Sequence, residues 1–155
     1  MSAEYEFLSA DLRAVYPEIE HLCKEHYAEM TARLEGQGLY MSDYNPRLDA
    51  YFQAVAEGRL STYLVRLAGV PVGHALIYVY EDMHNRDLVA YEDVLFITKT
   101  HRNGVGKKFV RAILDDLKAR GVKRLDVNAV TDLRVAKLWA RMGFKSIATS
   151  MRYNF

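Results

Sequence analysis

The chain carries a single cysteine, Cys23, which excludes an internal disulfide and a cysteine-based zinc cluster. It also lacks any signal-like or membrane-spanning apolar run. It lacks an excess of either charge as well: 21 basic residues against 20 acidic ones leave a formal net charge of +1. That balance argues against a general electrostatic grip on nucleic acid or an anionic membrane, so any functional charge is local. No repeat, low-complexity tract or interdomain linker is visible, and the eleven tyrosines are scattered. A cytoplasmic protein of one domain, residues 1–155, fits these absences. What is present is apolar material: half the residues are hydrophobic, and a chain of this length buries about two-thirds of its unfolded surface.

Local charge gathers at THRNGVGKKFV, residues 100–110, where Gly104 and Gly106 are crowded by His101, Arg102, Lys107 and Lys108. An amphipathic helix follows. Val105, Phe109, Ile113 and Leu117 recur every fourth residue, Val110 and Leu114 widen the stripe, and Gly121 is placed to end it. The cations therefore lie at the positive pole of a helix dipole, where each costs roughly 0.3–1 kcal/mol. An anionic ligand resolves the conflict, because free first-turn amides, glycines and cations together make a phosphate cradle. The alternative is a solvated basic turn. Neither nucleotide motif matches: GxGxxG requires a glycine at Phe109, and a P-loop requires a further upstream glycine that the chain lacks.

Along the chain, Tyr5 to Leu8 reads as a strand, and Pro17 as the first position of a helix with Ile19, Leu22, Cys23 and Met30 near one face. A second helix has Asn45 as N-cap, Pro46 in its first turn and Gly58 as its stop. Ser61 to Leu67 and Gly73 to Tyr80 form a hairpin across Ala68 to Val72, and Leu88 to Thr98 is a long strand running into the basic turn. After the helix come a strand at Arg124 to Val130, a helix capped near Thr131 or Asp132 and stopped by Gly143, and a last strand, Phe144 to Phe155. The expected class is mixed α/β, in the order β-α-α-β-β-β-α-β-α-β. Hairpins imply antiparallel pairs and the strand–helix–strand unit a parallel pair, so the sheet is mixed and mostly antiparallel, flanked by about four helices.

The glycine loop His101-Arg102-Asn103-Gly104-Val105-Gly106 resembles the [Q/R]-x-x-G-x-[G/A] loop of the GNAT superfamily of acyl-CoA N-acyltransferases. DLRVAKLWARMGF, residues 132–144, is similar to that family's later N-x-x-A-x-x-L-Y-x-x-x-G-F pattern. The resemblance implies that acetyl-CoA is the acyl donor, with its pyrophosphate on backbone amides from about Arg102 to Lys107 and its pantetheine arm against backbone groups of Val94, Leu95 and Phe96. Three departures stand out. His101 replaces the usual Gln or Arg; Asp132 replaces an Asn that contacts the cofactor, and also suits a helix cap. Trp139 occupies the place of the tyrosine assigned to protonate the departing thiolate. Indole cannot be that acid, but a thiol of pKa about 8.5 leaves tolerably without one, so Trp139 reads as a packing or cofactor-wall residue.

Amine acylation needs a carboxylate to attract an ammonium and take its proton. YEDVLFI resembles the [L/I]-E-D-x-[F/Y]-V segment of polyamine and related small-amine acetyltransferases. Glu92 is therefore the first choice of base and Asp93 the second carboxylate; a structural ion pair or a cap is the alternative for each. Successive strand residues face opposite sides, so only one reaches the acceptor unless a bulge re-aims the other. The resemblance places the acceptor between the first two helices and the late strands, where Tyr40, Tyr44, Tyr78 and Tyr80 could form a cation-holding wall. His21 and His26 lack the i, i+4 spacing of a shared metal face and read as exposed helix residues; no metal is expected. The expected activity is transfer of acetyl to a primary amine of a small molecule or peptide, by direct attack in a ternary complex. A noncatalytic acyl-CoA-binding sensor or assembly module is the alternative, and nucleic-acid binding has little support. The resemblance also implies a homodimer, and MRYNF, residues 151–155, suits pairing at a sheet edge.

Overall fold

The computed structural model describes residues 4–130 and 133–155, without the side chain of Leu133. Five strands lie in sequence order: β1 (Tyr5–Ala10), β2 (Leu60–Leu67), β3 (Val70–Glu81), β4 (Leu88–Ile97) and β5 (Leu125–Asp126). The first four are antiparallel, and β5 joins β4 in parallel. Helices α1 (Leu12–Glu35) and α2 (Leu48–Ala56) precede β2; α3 (Val105–Ala119) connects β4 to β5, and α4 (Leu133–Arg141) follows. The mixed, mostly antiparallel sheet with four helices is the class the sequence implies.

Strand alternation divides the apolar residues into two cores. Tyr63, Val65, Ala75, Ile77, Ala90 and Ile97 meet the α3 stripe of Val105, Phe109, Ile113 and Leu117. Leu64, Leu76 and Phe96 meet Leu12, Ile19 and Leu22 of α1 and Ala54 of α2. Each core needs one helical face and one sheet face, which is why 3.6-residue and 2-residue periodicities coexist in the chain.

Several boundaries depart from expectation. Helix α1 starts at Leu12, ahead of Pro17, because Asp11 caps it by accepting from the Arg13 amide at 2.9 Å. Pro17 thus lies inside the helix, in its second turn, while Leu12 gains a place in the core. Helix α2 begins after Asn45 and Pro46, with Arg47 as its N-cap residue. The β2–β3 turn is only Ala68-Gly69, both at positive φ, and Pro71 stands within β3 beside a register shift that suits its missing N–H. Residues 144–155 form no strand where a last strand was expected; Tyr40 N donates to Asn154 Oδ1 at 3.1 Å, and Tyr153 and Phe155 are exposed.

Candidate active site

Strand β4 organises the site. Leu76 faces Val94 and Ile77 faces Glu92, so Asp93 is an extra residue with no partner on β3. The bulge shifts the alternation. Tyr91 and, beyond it, Val94 and Phe96 lie on the α1–α2 side, whereas Ala90, Leu95 and Ile97 lie on the α3 side. Asp93 joins the α1–α2 side, where Tyr51 of α2 donates to its Oδ2 at 2.8 Å. Gly73 is required opposite this stretch, since a Cβ there would come within 2.8 Å of the Phe96 carbonyl oxygen.

On its other edge β4 is paired only briefly. Ala90 and Tyr91 face Leu125 and Asp126, and beyond them no pairing to β5 continues among the described residues. The expected strand to Val130 is cut short because side chains claim the Asn128 backbone. Its N–H donates to Glu92 Oε2 at 3.1 Å, and its carbonyl accepts from Trp139 Nε1 at 2.9 Å. The strands therefore part where Glu92 stands. Thr98 N–H bonds to Val72 on β3, so alternation turns the backbone groups of Val94 and Phe96 to β3 as well and leaves those of Leu95 facing the opening.

The opening leads to the basic loop. A short 3₁₀ turn, Lys99–His101, precedes Gly104, which has φ +80° and open space at its Cβ position. Helix α3 then starts with no acidic residue in its first turn, and among the described residues no side chain caps it. Gly106 lies against α4 and the end of β4, with Leu138 3.5 Å and Ile97 3.8 Å from its Cβ position. Asn103 and Lys107 are exposed and Val105 is buried. The two residues expected to lead the loop point elsewhere. His101 Nδ1 lies 2.9 Å from the Tyr5 hydroxyl; Arg102 donates to the Ile97 carbonyl at 2.7 Å and pairs with Glu29 at 2.8 and 3.0 Å. Arg102 also lies over the Phe96 ring. Its guanidinium ties the loop to α1. Asp132 lies outside the described residues.

The two carboxylates differ. Glu92 is 8% exposed, and burial pushes its pKa up to about 8 despite the Asn128 N–H. Asp93 has an exposed edge, yet desolvation by the protein around it raises its pKa, partly opposed by the Tyr51 hydrogen bond. On the Asp93 side a cavity of about 260 Å³ opens between α1, the α1–α2 connection, α2 and the sheet. Tyr44 lines it together with Tyr16, Tyr27 and Tyr51, the last three unforeseen from sequence. Tyr78 stacks on Tyr91 at 5.1 Å and Tyr80 meets Tyr91 edge-on, forming a separate ladder, while Tyr40 is 70% exposed and outside the cavity. The four expected tyrosines are thus not one wall.

Histidines were the least legible part. His26 is not an exposed helix residue: it lines the cavity, tilts against Phe96, and burial lowers its pKa. His74, on β3, is fully buried, and desolvation takes its pKa down to about 3. Its Nε2 lies 3.6 Å from Cys23 Sγ, whose thiol is pushed up to about 11 by burial. A histidine within the apolar run VGHALIYV was the available signal. Trp139 is buried at 6% exposure and packs on Phe144 at 5.0 Å.

A bulged β4 thus parts from β5 and runs into a glycine loop and an acid-free helix start. The model of the Acetyltransferase (GNAT) family matches residues 19–144, and the chain belongs to that family. Ribosomal-protein-alanine N-acetyltransferase from Brucella melitensis biovar Abortus 2308 superposes with a TM-score of 0.70 at 16% identity, over 97% of this chain and 99% of that one. Aminoglycoside N-acetyltransferase AAC(6')-Iy in complex with CoA gives 0.71 at 15% identity, over 100% and 97%. A tetramutant of the BH1408 protein from Bacillus halodurans gives 0.73 at 15% identity, over 97% and 99%. Comparison with curated protein sequences finds no significant match.

Proposed function

We propose that the protein is an acetyl-CoA-dependent N-acetyltransferase acting on a primary amine by direct attack in a ternary complex. The observation that carries this reading is the free edge of β4, which runs from the bulge at Asp93 into the glycine loop at the start of α3. The residues fit the donor. The open side of Gly104 and the uncapped first-turn amides of α3 suit a pyrophosphate, and the Leu95 backbone suits a pantetheine arm lying in the opening. With His101 and Arg102 committed elsewhere, backbone rather than side-chain donors hold the phosphates. The aminoglycoside enzyme above, seen with CoA, supports the choice of donor.

The donor supplies a thioester. On the opposite side of β4, Asp93 draws in the ammonium and takes its proton; its raised pKa brings it nearer the operating pH than an ordinary aspartate. The sequence ranks Glu92 first as base, but the cavity supports Asp93 as the carboxylate touching the amine. Glu92 then holds the parted strands in place through Asn128 and serves as the second carboxylate. Trp139, its N–H spent on Asn128, forms part of the wall and supplies no proton. That lack of an acid is what favours the noncatalytic acyl-CoA-binding reading, and robust amine-dependent turnover would end it.

Calorimetric titration with acetyl-CoA tests the donor site. The parent should bind, and Gly104→Val, verified as folded by its melting curve, should lose at least about tenfold in affinity because a side chain at φ +80° is strained and fills the approach to the amides. Equal binding by both proteins would remove the loop from the site.

A further inference from the structure

The cavity beside Asp93 narrows the choice of acceptor, an inference that rests on the transferase reading. Its volume of about 260 Å³ falls just below the ~300–1,000 Å³ of pockets that enclose drug-sized ligands. A single ring with a short alkyl arm is of the right scale, and a multi-ring sugar is not.

Its chemistry points the same way. Asp93 is the one acidic residue among those lining it. His26 and His74 are held uncharged by burial, and Cys23 is a protonated thiol, so the lining carries no further charge for a polycation to meet. Glu29 and Glu20 of α1, whose charges act on His26 and Cys23 of the lining, are paired with Arg102 and Lys24. The tyrosine hydroxyls are largely engaged as well: Tyr16 and Tyr44 share one bond at 3.1 Å, Tyr27 donates to the Ser42 carbonyl at 2.6 Å, and Tyr51 donates to Asp93. What they offer a ligand is ring surface, alongside Met30 and Leu76. Apart from the unpartnered Nδ1 atoms of His26 and His74 the lining offers few partners, so a polyhydroxylated acceptor placed here would strand most of its hydroxyls, at about 1–3 kcal/mol for each. An aromatic ring loses nothing of the kind, and its ammonium can sit at Asp93 beside the Tyr51 ring.

We propose that this cavity takes a small aromatic monoamine as the acyl acceptor, its ring among Tyr16, Tyr27 and Tyr44 and its ammonium at Asp93. Binding and turnover are measured separately. 2-Phenylethylamine, spermidine and kanamycin are titrated calorimetrically into the full chain, with and without saturating coenzyme A, and each is then assayed for release of CoA thiol from acetyl-CoA. The expected result is that 2-phenylethylamine binds at least about tenfold more tightly than either polycation. Asp93→Asn and Leu48→Trp, the second filling the cavity at the start of α2, should each weaken that binding by a similar factor. Binding of spermidine or kanamycin as tight as that of 2-phenylethylamine, failure of 2-phenylethylamine to bind, or binding indifferent to both substitutions would overturn the assignment. The two readings fail differently. Tight, Asp93-dependent binding of 2-phenylethylamine without thiol release with any amine counts against acyl transfer, whereas turnover of the polycations alone keeps the transferase and removes this acceptor.

Discussion

At the scale of the residue, the adjacent carboxylates are separated by the bulge into different surroundings. Asp93 faces the cavity, and Asp93→Asn is expected to lower kcat/KM by about 10²–10⁴, the usual worth of a general base, with acetyl-CoA affinity retained. Glu92→Gln should cost less, because a glutamine oxygen still accepts the Asn128 N–H; a larger loss in Glu92→Gln than in Asp93→Asn would restore Glu92 as base. Glu92 has a further consequence for stability. Its pKa rises from 4.5 unfolded to about 8 folded, so across that window the folded state holds more protons and stability falls as pH rises. The loss is on the order of a few kcal/mol. Melting temperatures of the parent should therefore drop between pH 6.5 and 8, above the range where His74 opposes the trend, and Glu92→Gln should flatten that drop; identical profiles would contradict the burial of an ionisable Glu92. His74 acts on the opposite limb: its depressed pKa makes folding less favourable as pH falls below 6.5.

At the scale of the element, legibility followed hydrogen-bond bookkeeping. Helix α3 was readable because Val105, Phe109, Ile113 and Leu117 form one stripe and Gly121, at φ +84°, ends it. The start of α1 was hidden by a proline whose preference for a first turn is weaker than the Asp11 cap and the burial of Leu12. Strand β5 was over-read because its pattern cannot reveal that Glu92 and Trp139, distant in sequence, take over the Asn128 backbone. The candidate site shows the same division. The glycine loop and the β4 carboxylates are local signals, whereas the cavity tyrosines and His74 come together only through the packing of α1 and α2 on the sheet. Trp139→Phe tests the β4–β5 clamp. Losing its bond to the part-buried Asn128 carbonyl should destabilise the fold by about 0.5–1.5 kcal/mol. Turnover should stay within about tenfold of the parent if Trp139 gives no proton, and a larger collapse in a folded variant would assign it a chemical role.

At the scale of the whole molecule, the near-zero net charge leaves recognition to local devices, and the sheet divides them. The free edge of β4 and the start of α3 suit a phosphate-bearing donor, while the α1–α2 side offers a small aromatic cavity with one carboxylate. The bulge at Asp93 lies where the two meet. Among the described residues no helix is long and apolar enough to cross a membrane. The most direct test of this arrangement is the initial rate of CoA thiol release from acetyl-CoA, across a panel of primary amines, for the parent and Asp93→Asn. Amine-dependent release by the parent, reduced by about 10²–10⁴ in the variant, is the predicted result. No amine-dependent release, or equal rates in the two proteins, would contradict it.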